Sequence, residues 1–176
     1  MKVIKYILVI GIVYLLSACG KEEPKYTIPA KPVDFKFNTS AVDHNLANIG
    51  SISVYIKAAD KSAYDKQLGG VKGVQTFIAP RLSNEYIGYS GLLIINTGST
   101  LNPTPFAAFD LCCPHERLEG IRVVPTNEGT AKCPKCGSVY DIIFGTGQVM
   151  EGVSSEKLQT YYVASIGNSA YRVFYY

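Results

Sequence analysis

The sequence predicts an all-β domain, a sandwich or barrel, from three observations. Short stretches alternate apolar and polar residues or stay apolar for a few positions. Clusters of Gly, Asn, Pro and Ser separate them. Thirteen tyrosines and seven phenylalanines join the β-branched residues that suit a pleated, half-buried surface. Residues 34–37 (Asp-Phe-Lys-Phe) and 51–56 (Ser-Ile-Ser-Val-Tyr-Ile) carry the period of two that sends alternate side chains to opposite faces. Further strands are expected over 74–78, 92–96, 106–111, 121–124, 139–144, 160–164 and 171–176. One stretch, 57–68, holds enough helix formers for one or two turns at most. No internal repeat and no second domain is visible.

The N-terminus gives an address. Lys2 and Lys5 precede an apolar stretch over 6–16, eleven residues long. A membrane-spanning helix needs about 20. Leu16-Ser17-Ala18-Cys19-Gly20 follows and resembles the lipobox of bacterial lipoproteins. That resemblance implies cleavage before Cys19, by a peptidase that accepts the small Ser17 and Ala18, and lipidation of the Cys19 thiol. The alternative is an uncleaved membrane anchor. Residues 1–18 are therefore read as a lipoprotein signal peptide and 33–176 as the β domain. Between them, 19–32 is a lipid-attached tether kept extended by Pro24, Pro29 and Pro32. Gly20-Lys21-Glu22-Glu23 resembles the acidic surface-export signal of some Bacteroidetes lipoproteins and reads equally as a solvated linker. The expected location is the cell envelope, on the periplasmic or the exterior face of the outer membrane.

Cleavage would leave 158 residues, enough for one domain with a real core. Without Lys2 and Lys5, 15 basic residues face 14 acidic ones, a net charge of +1, and no basic run occurs. Such a chain has no field for gripping nucleic acid or an anionic membrane surface. Gly69-Gly70-x-x-Gly73 lacks the strand–loop–helix frame of a phosphate loop and reads as a turn, so no nucleotide is expected. Two histidines in the whole chain are too few for a nucleophilic triad.

The chemistry concentrates in two clusters, Cys113-Pro114-His115 and, after seventeen intervening residues, Cys133-Pro134-Lys135-Cys136. Each offers two metal-binding side chains from one tight loop. Three thiolates and one imidazole meeting at a point make an iron–sulfur or a zinc site. Cys112 keeps zinc open in a second way, because Cys112-x-x-His115 with Cys133-x-x-Cys136 is a good zinc spacing. Export also permits disulfides among the four. A bridge between Cys112 and Cys113 would be strained, and the other pairings leave His115 and the two matching prolines without a purpose. His44, in Val42-Asp43-His44-Asn45, reads as a surface or turn residue.

The frame around these clusters resembles the Rieske [2Fe–2S] domain. The likeness lies in Phe109-Asp110, Cys113-x-His115, Cys133-x-x-Cys136-Gly137-Ser138-x-Tyr140-Asp141, Gly145-x-Gly147 and Leu158-x-x-Tyr161-x-Val163. It runs from about Gly88 onward; earlier residues match only as generic β structure. The resemblance implies an antiparallel β sandwich or barrel carrying a small two-loop cluster-binding subdomain, about 109–147. It further implies that Cys113 and Cys133 bind one iron and His115 and Cys136 the other. It places Ser138 and Tyr140 where family hydroxyls bond a bridging sulfide and a cysteine sulfur.

Two departures stand out. Cys136 occupies the position of the family's second histidine. A thiolate adds negative charge that imidazole lacks, which stabilises the ferric state and lowers the potential. Two-His centres lie at roughly −150 to +300 mV and all-Cys plant-type clusters near about −400 mV. This centre is expected between them or toward the low end, with hydrogen bonds from Ser138 and Tyr140 pulling it upward. The positions of the disulfide that braces the loops in some Rieske proteins hold Leu118 and Lys135, so packing and the cluster itself must hold the loops. Cys112 is left as a buried thiol.

The function expected is one-electron transfer in the bacterial cell envelope, with a redox protein as partner and His115 as the exposed ligand facing it. The resemblance implies an electron carrier rather than an enzyme. One alternative is a lipoprotein whose Zn²⁺ only staples the fold. Another is a small accessory subunit of an envelope oxidase. A catalytic Rieske oxygenase subunit is excluded, because its separate iron takes two His and a carboxylate and only His44 remains.

Overall fold

The computed structural model describes residues 26–100 and 103–175. The expected signal peptide and the lipidation site Cys19 lie outside the described residues. The strands are β1 (Val33–Asn38), β2 (Ile52–Ile56), β3 (Val74–Ile78), β4 (Tyr86–Ile87), β5 (Leu92–Asn96) and β6 (Phe106–Asp110). They continue with β7 (Val124–Pro125), β8 (Thr130–Lys132), β9 (Val139–Asp141), β10 (Val149–Glu151), β11 (Thr160–Gly167) and β12 (Ala170–Phe174). Eight of them form a curled half-barrel in the order β3-β2-β5-β6-β11-β12-β1-β4. The other four form a small antiparallel sheet, β10-β9-β8-β7. The all-β class expected from the sequence holds.

The large sheet is mixed rather than purely antiparallel, because β2 and β3 pair in parallel, with Ile52 beside Val74 and Ile56 beside Ile78. A parallel pair needs a crossover. The α-helix α1 (Ala58–Leu68) supplies it with eleven residues, about three turns and longer than expected. Its composition is mostly polar, and only Tyr64 and Leu68, four positions apart, are buried. The Tyr64 hydroxyl donates to the Val123 carbonyl at 2.9 Å, which anchors the helix beside the small sheet. Gly69 ends it in the left-handed conformation, φ 60°. Tertiary contacts thus extend a helix that local propensity starts.

The stretch expected as a strand over 139–144 ends at Asp141. The Asp141 carboxylate accepts the Phe144 and Thr146 amides at 3.1 Å each and turns the chain there. Of 121–124, only Val124 enters a strand, although Arg122 forms an isolated bridge with Cys112.

The core has two parts. Leu93 and Ile95 of β5 face one, with Phe109, Leu111, Cys113, Cys133 and Tyr140. Leu92 and Ile94 face the other, with Phe35, Phe37 and Tyr55. The period of two in one strand therefore serves both, and burying each such large side chain contributes about 1.5–3 kcal/mol. The tether is fixed at its end. Thr27 and Ile28 are buried, the Thr27 amide donates to Gln159 Oε1 at 3.0 Å, and Arg117 Nε donates to the Thr27 carbonyl at 3.1 Å. Packing against the domain is already in place at Tyr26, whose ring lies 4.6 Å from that of Tyr175, seven residues before the expected boundary at Val33, with an apolar Ile28 among the prolines.

Candidate metal centre

Strand β6 delivers the first ligand loop. Asp110 at its end is fully buried. Its carboxylate accepts the amides of Tyr89 (2.7 Å), Ser90 (3.1 Å) and Cys112 (2.8 Å) and the hydroxyl of Tyr161 (2.8 Å). Burial raises the Asp110 pKa, and these four donors oppose that rise. The loop then closes on itself. The Cys113 amide donates to the Ile121 carbonyl at 3.1 Å and the Arg117 amide to the Cys113 carbonyl at 2.9 Å.

The β8–β9 hairpin delivers the second loop. The Cys133 amide donates to the Ser138 carbonyl at 2.9 Å, and the Gly137 amide to the Cys133 carbonyl at 3.1 Å. Gly137 sits at φ 76°, which an L side chain rarely adopts, so glycine suits this turn.

The two loops bring three of the four expected ligands together. The sulfurs of Cys113, Cys133 and Cys136 lie within 4.8 Å of one another, and this group could hold a metal ion. Cys113 Sγ and Cys136 Sγ are 3.7 Å apart. Cys113 and Cys133 are fully buried and Cys136 is partly exposed, so the group opens to solvent on the Cys136 side. His115 is exposed, two residues from Cys113 and outside the three-sulfur group.

Cys112 does not join them. Its Sγ lies 3.5 Å from the Cys113 carbonyl and 3.7 Å from the Leu118 carbonyl, and burial pushes its thiol up to about 12. The zinc pattern that used Cys112 loses that ligand. All four described cysteines are free thiols, without a disulfide. His44 lies exposed in a short 3-10 turn, His44–Ala47, away from the sulfur group.

Two hydroxyls approach the sulfurs. The Tyr140 hydroxyl is 3.4 Å from Cys113 Sγ, and burial raises its pKa. Ser138 Oγ is 3.3 Å from Cys136 Sγ and also accepts the amides of Val153 (3.1 Å) and Ser154 (3.0 Å). Those amides occupy both lone pairs of the serine oxygen, so its proton is what remains for Cys136, an arrangement that suits a thiolate. For Cys136 itself burial raises the pKa, but its hydrogen bonds to Ser138 and the other thiols outweigh that and the net shift is downward. Cys133, buried more deeply, is pushed up to about 12.

Sequence reading did not link Ser138 to residues 152–154. A Cβ on Gly152, at φ 101°, would stand 2.5 Å from Ser138 Cα, so only glycine lets this segment press close enough to donate its amides. The one available signal was a glycine beside no expected turn. Sequence reading also missed the bridge across the loops. Lys135 Nζ pairs with Glu116 Oε2 at 2.6 Å, and Glu116 and the neighbouring thiols raise the Lys135 pKa. The Lys135 end is exposed and the Glu116 side chain mostly buried, and an ion pair with one end in solvent is a far weaker tie than a covalent bond.

The fold and site define a mostly-β protein with a three-cysteine candidate metal centre at the junction of two loops. No family model matches the chain, and no curated protein sequence matches it.

Proposed function

We propose that the chain is a one-electron transfer protein of the bacterial cell envelope, with a Rieske-like [2Fe–2S] cluster held by Cys113, Cys133, Cys136 and His115. The observation that carries this reading is the pair of hydroxyls set against ligand sulfurs, Tyr140 on Cys113 and Ser138 on Cys136. Hydrogen bonds to thiolates stabilise the reduced, more negative state and so tune a potential.

The donor set fits the group in kind: three thiolates from two loops, with an imidazole on the first loop. A bound [2Fe–2S] cluster supplies a one-electron couple. A couple held by these residues would lie on the side of exposed His115 and partly exposed Cys136, where a partner can approach. Phe109, Leu158 and Tyr140 belong to the buried core that also contains Cys113 and Cys133. The near-neutral charge favours docking through a largely uncharged patch, to another envelope redox protein. Lipidation of Cys19 would keep the domain at the membrane.

One observation favours a second reading. Two thiolates on a single tetrahedral ion at about 2.3 Å stand ~3.8 Å apart. Cys113 and Cys136, assigned by the resemblance to different irons, have their sulfurs 3.7 Å apart. A single Zn²⁺ on the three thiolates and His115 would then staple the loops without redox chemistry. Iron, zinc and acid-labile sulfide, quantified in the full chain purified without oxygen, separate the two. Iron with equimolar sulfide supports electron transfer; stoichiometric zinc without sulfide overturns it.

A further inference from the structure

The sulfurs of Cys113 and Cys136 stand 3.7 Å apart on separate loops, 23 residues from each other in sequence. A disulfide needs about 2.05 Å, so rotation of two side chains closes most of the gap. We propose that in the metal-free protein these two cysteines form a cross-loop disulfide, a redox lock that closes the centre to metal. This rests on the reading of the three cysteines as metal ligands in an exported protein, whichever metal they hold.

Exposure sets the order of events. Cys136 is the one thiol of the three that solvent reaches. A small disulfide such as oxidised glutathione is the co-reactant. The Cys136 sulfur attacks it, its S–S bond breaks, and one glutathione leaves as a thiol. The Cys113 sulfur then attacks Cys136, and the second glutathione leaves carrying the remaining proton. Two protein thiols are oxidised and one external disulfide is reduced. Cys112 stays out, because its sulfur points toward backbone carbonyls. Cys133 is the competitor, since it shares the 4.8 Å group and is as buried as Cys113; the 3.7 Å approach of the Cys113 sulfur to Cys136 is what favours Cys113.

The bridge would tie together the two loops that Lys135 and Glu116 already join by an ion pair. It would also remove two ligands, so a metal must be loaded before oxidation or after reduction. A bound metal protects both sulfurs.

The test uses the full chain, stripped of metal by a chelator under reducing conditions, freed of reductant and treated with oxidised glutathione. Unreduced tryptic peptides are then mapped by mass spectrometry. Cleavage after Lys135 separates Cys133 from Cys136, and the Cys112→Ser variant removes the ambiguity at Cys113. The expected product joins the Cys113 and Cys136 peptides, persists in Cys133→Ser, and is absent when the untreated metal-loaded protein receives the same oxidant. A Cys133–Cys136 bridge, or no bridge at excess oxidant, overturns the proposal. Metal content is measured on the untreated protein, so a wrong metal assignment and a wrong lock give different results.

Discussion

The Tyr140 hydroxyl meets Cys113 Sγ at 3.4 Å, from a strand of the small sheet to a loop that leaves the large one. The contact joins the two halves of the centre through one proton. Tyr140 is fully buried, so the fold fixes the geometry. Replacing Tyr140 with Phe removes the donor and keeps the ring. If the centre is a one-electron couple, its potential should fall by roughly 59 mV, a tenfold change in the redox equilibrium. A spectroscopic redox titration of Tyr140→Phe against the parent reads this shift. An unchanged potential would mean that the hydroxyl does not stabilise the reduced state.

The three-sulfur group separates cysteines that look alike in sequence. Cys136→Ser should lose most of the bound metal, because a serine oxygen replaces a thiolate in the first coordination sphere. Cys112→Ser should keep the parent stoichiometry, since Cys112 lies outside the group. Metal analysis after gel filtration checks both. Equal losses would return Cys112 to the ligand set.

Gly152 holds the amides that orient Ser138. Gly152→Ala places a methyl group against Ser138 at a backbone angle that L residues avoid. The strain should lower stability by about 1–3 kcal/mol. It should also release Ser138 Oγ from the amides of Val153 and Ser154, and so shift the potential downward. Urea unfolding and a redox titration on the same variant measure the two effects.

Asp110 gives the stability a sign that pH can test. Burial raises its pKa in the folded protein above the ordinary carboxyl value. The unfolded chain therefore ionises first as pH rises. Between the ordinary and the raised value the folded state binds more protons, so this group's contribution to stability falls as pH rises through that window. Asp110→Asn should abolish this component. It should also cost roughly 1–3 kcal/mol, because an amide nitrogen then faces donors that the carboxylate accepted. Urea midpoints across acidic pH, parent against variant, show whether the slope disappears.

Much of the architecture was legible in the sequence, for reasons that individual residues show. The alternation in 34–37 and the apolar run of 92–96 gave β1 and β5 directly, because one face or both faces of those strands are buried. Helix α1 was underestimated because two residues, Tyr64 and Leu68, anchor it and the rest is alanine or polar. The parallel pairing of β2 and β3 has no local signal, since it depends on where the crossover docks. At the site, spacing put forward Cys113, His115, Cys133 and Cys136 and left Cys112 open as a zinc ligand, and the fold groups three of the thiols. Spacing could not tell which way Cys112 points, because adjacent residues on a loop diverge according to backbone turns. Nor could it show that Glu116 and Lys135 meet across the loops, or that Gly152 carries the chain against Ser138. These contacts join segments far apart in sequence.

A redox-active [2Fe–2S] centre in the two loops, as proposed, is tested by the electron paramagnetic resonance spectrum of the full chain, purified without oxygen and chemically reduced. The expected signal is that of a reduced [2Fe–2S] cluster, with g-values outside the ordinary two-His Rieske pattern because Cys136 stands in place of a histidine. A sample that shows no such signal and contains stoichiometric zinc would contradict the proposal.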